Sequence, residues 1–76
     1  MIQEFIRNIE HELEIRAGTL TPETKLNTMP QMDSMGTLTL MLMIDTTYGF
    51  TIEPEQMSAC ETVRDLYEYV MSRKQK

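Results

Sequence analysis

The side chains in this chain that could do chemistry are few: Ser34 directly after Asp33, a single histidine (His11), a single cysteine (Cys60) and twelve carboxylates. A serine nucleophile needs a base within hydrogen-bond reach and a third group to orient that base. His11 belongs to a different segment with no route to Ser34, so that base is missing. The carboxylates fall along helical faces with no pocket to set one of a pair apart as an acid. The glycines, at 18, 36 and 49, are too scattered to cradle a phosphate. One cysteine excludes an internal disulfide framework and a cysteine-based metal cluster, and an isolated histidine cannot anchor a metal. Neither a catalytic residue nor a metal ligand is assigned.

What Ser34 can do is accept a group. The polar stretch Gln31-Met32-Asp33-Ser34-Met35-Gly36 is followed at once by the apolar run Leu38 to Ile44. This junction predicts Ser34 at a helix entrance with its hydroxyl in water. A phosphodiester on that oxygen would lie near free backbone N–H groups and the positive end of the helix dipole. Gly36 removes a side chain where the attached group or a modifying enzyme must approach. The plainer reading is that Ser34 serves only as an N-cap.

Four elements must position this junction. Ile2, Phe5, Ile6, Ile9 and Leu13 recur at spacings of three and four, with Glu4, Glu10, Glu12 and Glu14 on the other face. That pattern predicts an amphipathic helix of about 14 residues, closed by Ala17-Gly18, with His11 solvated. From Thr19 to Asp33 runs a polar loop of about 15 residues, long enough to be functional, pinned by Leu20, Leu26, Met29 and Met32. Thr21-Pro22-Glu23 begins a short turn within it, and Pro30 blocks helix before the Asp-Ser pair.

The next helix is predicted from Ser34 to about Tyr48, stopped by Gly49. Leu40, Ile44 and Tyr48, with Met41 and Thr37, make its inward stripe. Met35, Leu38, Leu42 and Met43 are then in excess, and in so small a protein an excess implies an exposed apolar patch that wants a partner. A strand over Thr37 to Ile44 is rejected, because the alternation collapses into consecutive apolar residues and no second strand is available. Phe50, Ile52 and Met57 surround Glu53-Pro54-Glu55, where Pro54 opens a short helix. A last helix follows Thr62, which heads a Thr-x-x-Asp capping pattern, and buries Val63, Leu66, Tyr67 and Val70. Its basic end, Met71 to Lys76, is expected to fray.

Length and composition bound the rest. At 76 residues the chain fits one domain, 1–76, and burying only about 60% of its unfolded surface leaves little room for an enclosed active site. With 41% hydrophobic and 25% charged residues it should fold alone. The net charge is −5, but Arg73, Lys74 and Lys76 lie at the end, and the preceding 72 residues carry twelve acids against four bases. An acidic body repels nucleic acid and favours enzymes with basic docking surfaces. The lone cysteine suits a reducing cytoplasm, and the start resembles no signal peptide. No apolar run approaches the ~20 residues of a membrane span.

Met32-Asp33-Ser34-Met35-Gly36-Thr37, at the head of a helix after a long loop, resembles the Asp-Ser-Leu/Met signature of acyl carrier proteins and the related peptidyl and aminoacyl carriers. The likeness extends over nearly the whole chain, through Thr24-Lys25-Leu26, Tyr48-Gly49-Phe50-x-Ile52, Pro54-Glu55 and Glu61-Thr62-Val63-Arg64-Asp65. The resemblance implies an all-α fold: a small antiparallel four-helix bundle with a short third helix and a long loop between helices 1 and 2. It further implies covalent 4′-phosphopantetheine on Ser34, added from coenzyme A by a phosphopantetheinyl transferase, with Asp33 helping to place the transferase's metal-bound coenzyme A. Met35, Leu38, Leu42 and Asp45 would form the face read by partner enzymes: a loading ligase, or enzymes of the ketosynthase or acyltransferase type. The chain itself would be a monomeric carrier and not an enzyme.

One departure from the family pattern matters. Fatty-acid carriers have several glutamates along the second helix, where this chain has Thr39, Thr46 and Thr47 and keeps only Asp45. The expectation is therefore a specialised stand-alone carrier for a lipid, polyketide or related pathway. Two other readings stand beside it: an aminoacyl or peptidyl carrier loaded by an adenylating ligase, and an unmodified helical adaptor that uses Leu38 to Ile44 to bind protein.

Overall fold

The computed structural model describes residues 2–75, in which the chain folds as four helices: α1 (Ile2–Glu12), α2 (Ser34–Tyr48), the short α3 (Pro54–Ala59) and α4 (Val63–Arg73). A long connection containing one 3₁₀ turn, Leu26–Thr28, joins α1 to α2. This is the expected antiparallel bundle. The core is a single cluster in which Phe5 and Ile9 of α1 meet Leu40 and Ile44 of α2 and Val63, Leu66 and Val70 of α4. Ile52 and Met57 close it from the α3 side, and Phe5 stacks edge-on against Tyr67.

The first helix ends earlier than its periodicity predicts. Glu14 adopts a left-handed φ of 57°, a conformation that costs an L-residue roughly 1 kcal/mol. The Ile15 N–H then donates to the Glu10 carbonyl at 2.8 Å and the Glu14 N–H to that of His11 at 3.3 Å, the double bond pattern of a Schellman ending. Glu10 was expected on the solvent face, yet it is 3% exposed. Its Oε2 accepts from the N–H groups of Gly18 at 3.1 Å and Leu20 at 3.0 Å. These bonds satisfy the carboxylate away from water and fix the first residues of the loop.

The loop is stitched down at several points. Leu20, Leu26 and Met29 insert into the core as expected, with Met32 half-buried beside them. The Leu26 N–H donates to the Glu61 carbonyl at 2.8 Å, and those of Val63 and Arg64 donate back to Thr24 and Pro22 at 3.0 and 2.9 Å. Arg64 adds an exposed ion pair to Glu23 at 2.9 Å. The head of α4 is held by the predicted capping box: the Asp65 N–H donates to Thr62 Oγ1 at 3.1 Å, and the Thr62 N–H to Asp65 Oδ2 at 3.2 Å. The far end of α4 is more ordered than expected, since it stays helical to Arg73, which lies 5.4 Å over the Tyr69 ring, and the Gln75 N–H donates to the Tyr48 carbonyl at 2.8 Å. Lys76 lies outside the described residues.

Candidate functional site

At the entrance of α2, Asp33 is the N-cap: its Oδ1 accepts from the Gly36 N–H at 2.8 Å, and its carbonyl accepts the first helical bond, from Thr37, at 2.9 Å. Ser34 is therefore the first residue inside the helix. Its side chain is exposed and its hydroxyl bonds to none of the described residues. Helix geometry leaves the N–H groups of Ser34 and Met35 outside the intrahelical ladder. The other serines sit elsewhere: Ser72 Oγ is committed to the Tyr69 carbonyl at 2.7 Å, and Ser58, also exposed, is the penultimate residue of the short α3, away from any helix entrance.

Gly36 has a different reason from the one expected. It is buried, and a Cβ there would overlap the Gln31 carbonyl oxygen. The glycine lets the loop pack directly onto the first turn of α2, which fixes the approach of Asp33 and Ser34. The Met32 N–H, bonded to the Met29 carbonyl at 3.0 Å, tightens the same turn.

Met35, Leu38 and Leu42 are 72%, 60% and 66% exposed. With Asp45 they recur at spacings of three and four, so they share one face of α2, with Ser34 at its upper end. Asp45 is itself exposed, its Oδ2 accepting from Thr51 Oγ1 at 3.4 Å at the exit of the helix. Met43, grouped with the excess residues by its sequence, is instead in the core at 6% exposure, and Met41 is only half-buried. Asp33, Ser34, Met35, Leu38, Leu42 and Asp45 thus run along one exposed side of the molecule. His11 is exposed at the far end of α1, and among the described residues no group of three or more histidines, cysteines or acids could hold a metal.

Sequence reasoning missed a cavity of about 220 Å³ beside this face, lined by Leu26, Met32 and Met57 together with Thr37, Ser58 and Cys60. Its walls come from the loop, α2 and α3, so no local pattern could have signalled it. Met32 and Thr37 flank Ser34 in sequence and place the cavity next to the serine. Burial pushes the Cys60 thiol pKa up, with the nearby Asp65 carboxylate adding to the effect. Between Lys25 and Arg64 the chain carries no lysine or arginine, while Asp33, Asp45, Glu53, Glu55 and Glu61 are all exposed.

Chemically, an uncommitted hydroxyl at the first position of a 15-residue helix suits a phosphodiester, because the first-turn N–H groups and the dipole both favour an anion. The family model described as the phosphopantetheine attachment site matches residues 3–70. The acyl carrier protein of Treponema pallidum, with the same figures in two strains, is 31% identical over 65 residues, spanning 86% of this chain and 83% of that protein. The solution structure of holo acyl carrier protein from Geobacter metallireducens superposes with a TM-score of 0.77 over 93% of this chain and 82% of that one. At 18% identity that last likeness concerns the fold. On the family match and the Treponema relative, the chain belongs to the acyl carrier protein family, a carrier rather than a catalyst, with 4′-phosphopantetheine as its cofactor.

Proposed function

We propose that Ser34 is the residue that carries the 4′-phosphopantetheine, and that residues 1–76 work as one stand-alone carrier domain. The observation that carries this reading is the exposed, uncommitted Ser34 hydroxyl at the head of α2. When bound, the cofactor supplies a thiol that holds acyl groups as thioesters. The chain's own residues do the rest. The Ser34 oxygen displaces the nucleotide half of coenzyme A on a phosphopantetheinyl transferase. Asp33 holds the first turn of α2 in register for that enzyme, and the dipole of α2 stabilises the resulting phosphodiester. Incubation with coenzyme A and a broad-specificity transferase tests the attachment. The intact mass should rise by one phosphopantetheine, Ser34→Ala should abolish the rise, and an unchanged wild-type mass would refute the reading.

Met35, Leu38, Leu42 and Asp45 form the face that partner enzymes read in this proposal. Those partners are the transferase, a loading ligase, and enzymes of the ketosynthase or acyltransferase type. Because α2 keeps a single acid, docking on it leans on apolar contact, which supports service in a specialised lipid, polyketide or related pathway rather than with housekeeping fatty-acid enzymes. Turnover with its own partners should persist as salt is raised, and abolition by salt would contradict the assignment. The same sparse charge on α2 favours a second reading, an aminoacyl or peptidyl carrier; loading of the holo chain by adenylating ligases but not by fatty-acyl ligases would select it. In this proposal the carrier works in the cytoplasm as a monomer, a reading that the single cysteine supports for the compartment. No described helix is long and apolar enough to cross a membrane, and the acidic surface does not suit nucleic acid.

A further inference from the structure

The methionines are unequally protected. Met29, Met43 and Met57 are 7%, 6% and 6% exposed, and Met32, Met41 and Met71 are half-buried against the core. Met35 alone among the described methionines stands in water, at 72% exposure. A thioether is oxidised through a sulfur lone pair, so access to that sulfur sets the order in which methionines react. Met35 also follows Ser34 directly and heads the exposed row that continues through Leu38 and Leu42. Nothing in the core depends on it, because the residues that bury α2 are Leu40, Met43 and Ile44.

We propose that Met35 is a redox modification site, whose conversion to the sulfoxide switches off docking of the enzymes that act at Ser34. The inference rests on the reading of Ser34 as the attachment residue. The oxidant is a hydroperoxide. The Met35 sulfur attacks one peroxide oxygen, the S–O bond forms as the O–O bond breaks, and sulfur gives up two electrons. From hydrogen peroxide the second oxygen leaves as water, with no net uptake or release of protons. The product replaces an apolar thioether with a strong dipole, and a partner surface that accepts the thioether would have to desolvate that dipole without a donor to match it. The fold does not bury Met35 and so tolerates the change. Methionine sulfoxide reductases reverse it.

The test treats the full chain briefly with hydrogen peroxide, removes the oxidant, and locates the added oxygen by peptide mass mapping. The rate of phosphopantetheine addition by the broad-specificity transferase is then measured, with circular dichroism in parallel. Among the described methionines the first oxygen should fall on Met35, helical content should be unchanged, and the rate should drop roughly tenfold, as for loss of one anchor from an interface. Met35→Leu, compared with its own untreated rate, should lose nothing on treatment, and a methionine sulfoxide reductase should restore the wild-type rate. A first oxygen on another of the described methionines, or a Met35 sulfoxide that is modified at the untreated rate, overturns the inference while leaving the attachment reading intact. An untreated chain that takes up no phosphopantetheine overturns both.

Discussion

Helices α2 and α4 begin alike and end up facing opposite demands. Each is headed by a side-chain cap, Asp33 in one and Thr62 in the other, and each buries a row of aliphatic residues against α1. Their outer faces differ. On α4 the exposed positions are Arg64, Asp65, Glu68, Ser72 and Arg73, groups that water solvates without cost to the fold. On α2 they include Met35, Leu38 and Leu42. Folding gains nothing from keeping those three apolar, and solubility loses by it, so their chemistry answers to something outside the chain. That the same helix carries Ser34 at its head is why attachment and partner choice belong to one surface.

The comparison breaks most visibly if the two sides of α2 prove alike in stability. Ile44→Ala should cost about 2–5 kcal/mol in urea denaturation because it empties a fully buried site, whereas Leu42→Ala should change stability by less than about 0.5 kcal/mol and instead slow turnover with partner enzymes. Equal losses of stability would mean that Leu42 is a core residue and the patch no docking face. The caps give a sharper version. Asp33→Ala and Thr62→Ala should each lower stability by about 1 kcal/mol, but only the first should also slow phosphopantetheine addition, since only it loosens the turn that presents Ser34. The smallest effect belongs to the outer face of α4: Glu68→Ala should shift stability by no more than about 0.5 kcal/mol and leave the transfer rate where it was. A slowed transfer there would extend the docking surface to α4.

How much of this was legible in the sequence follows from where each signal is local. The bounds of α2, the αL ending at Gly49, Pro54 opening α3 and the Thr62–Asp65 box are all written in residues adjacent to the features they make. The end of α1 was not legible, because an acid, Glu14, takes the left-handed position that a glycine usually marks, and the nearest glycine lies beyond it. Glu10 read as a surface carboxylate because its partners, the N–H groups of Gly18 and Leu20, are backbone donors with no sequence signature. Met43 was misplaced for a related reason: a helix that is apolar all round carries no phase, and only packing decides which residues turn inward. The resemblance named Met35, Leu38, Leu42 and Asp45 as one face, and in the fold all four are exposed at spacings of three and four along α2. The adjoining cavity, built from three separated segments, needed the fold.

The central claim is that Ser34, the exposed serine at the head of α2, is where the cofactor is attached. Fragment mass mapping of the chain after treatment with coenzyme A and transferase tests it directly, because Ser58 and Ser72 serve as internal controls with the same hydroxyl chemistry. A single phosphopantetheine on Ser34 is the predicted result. A group on Ser58 or Ser72, or no group at all, would contradict the account.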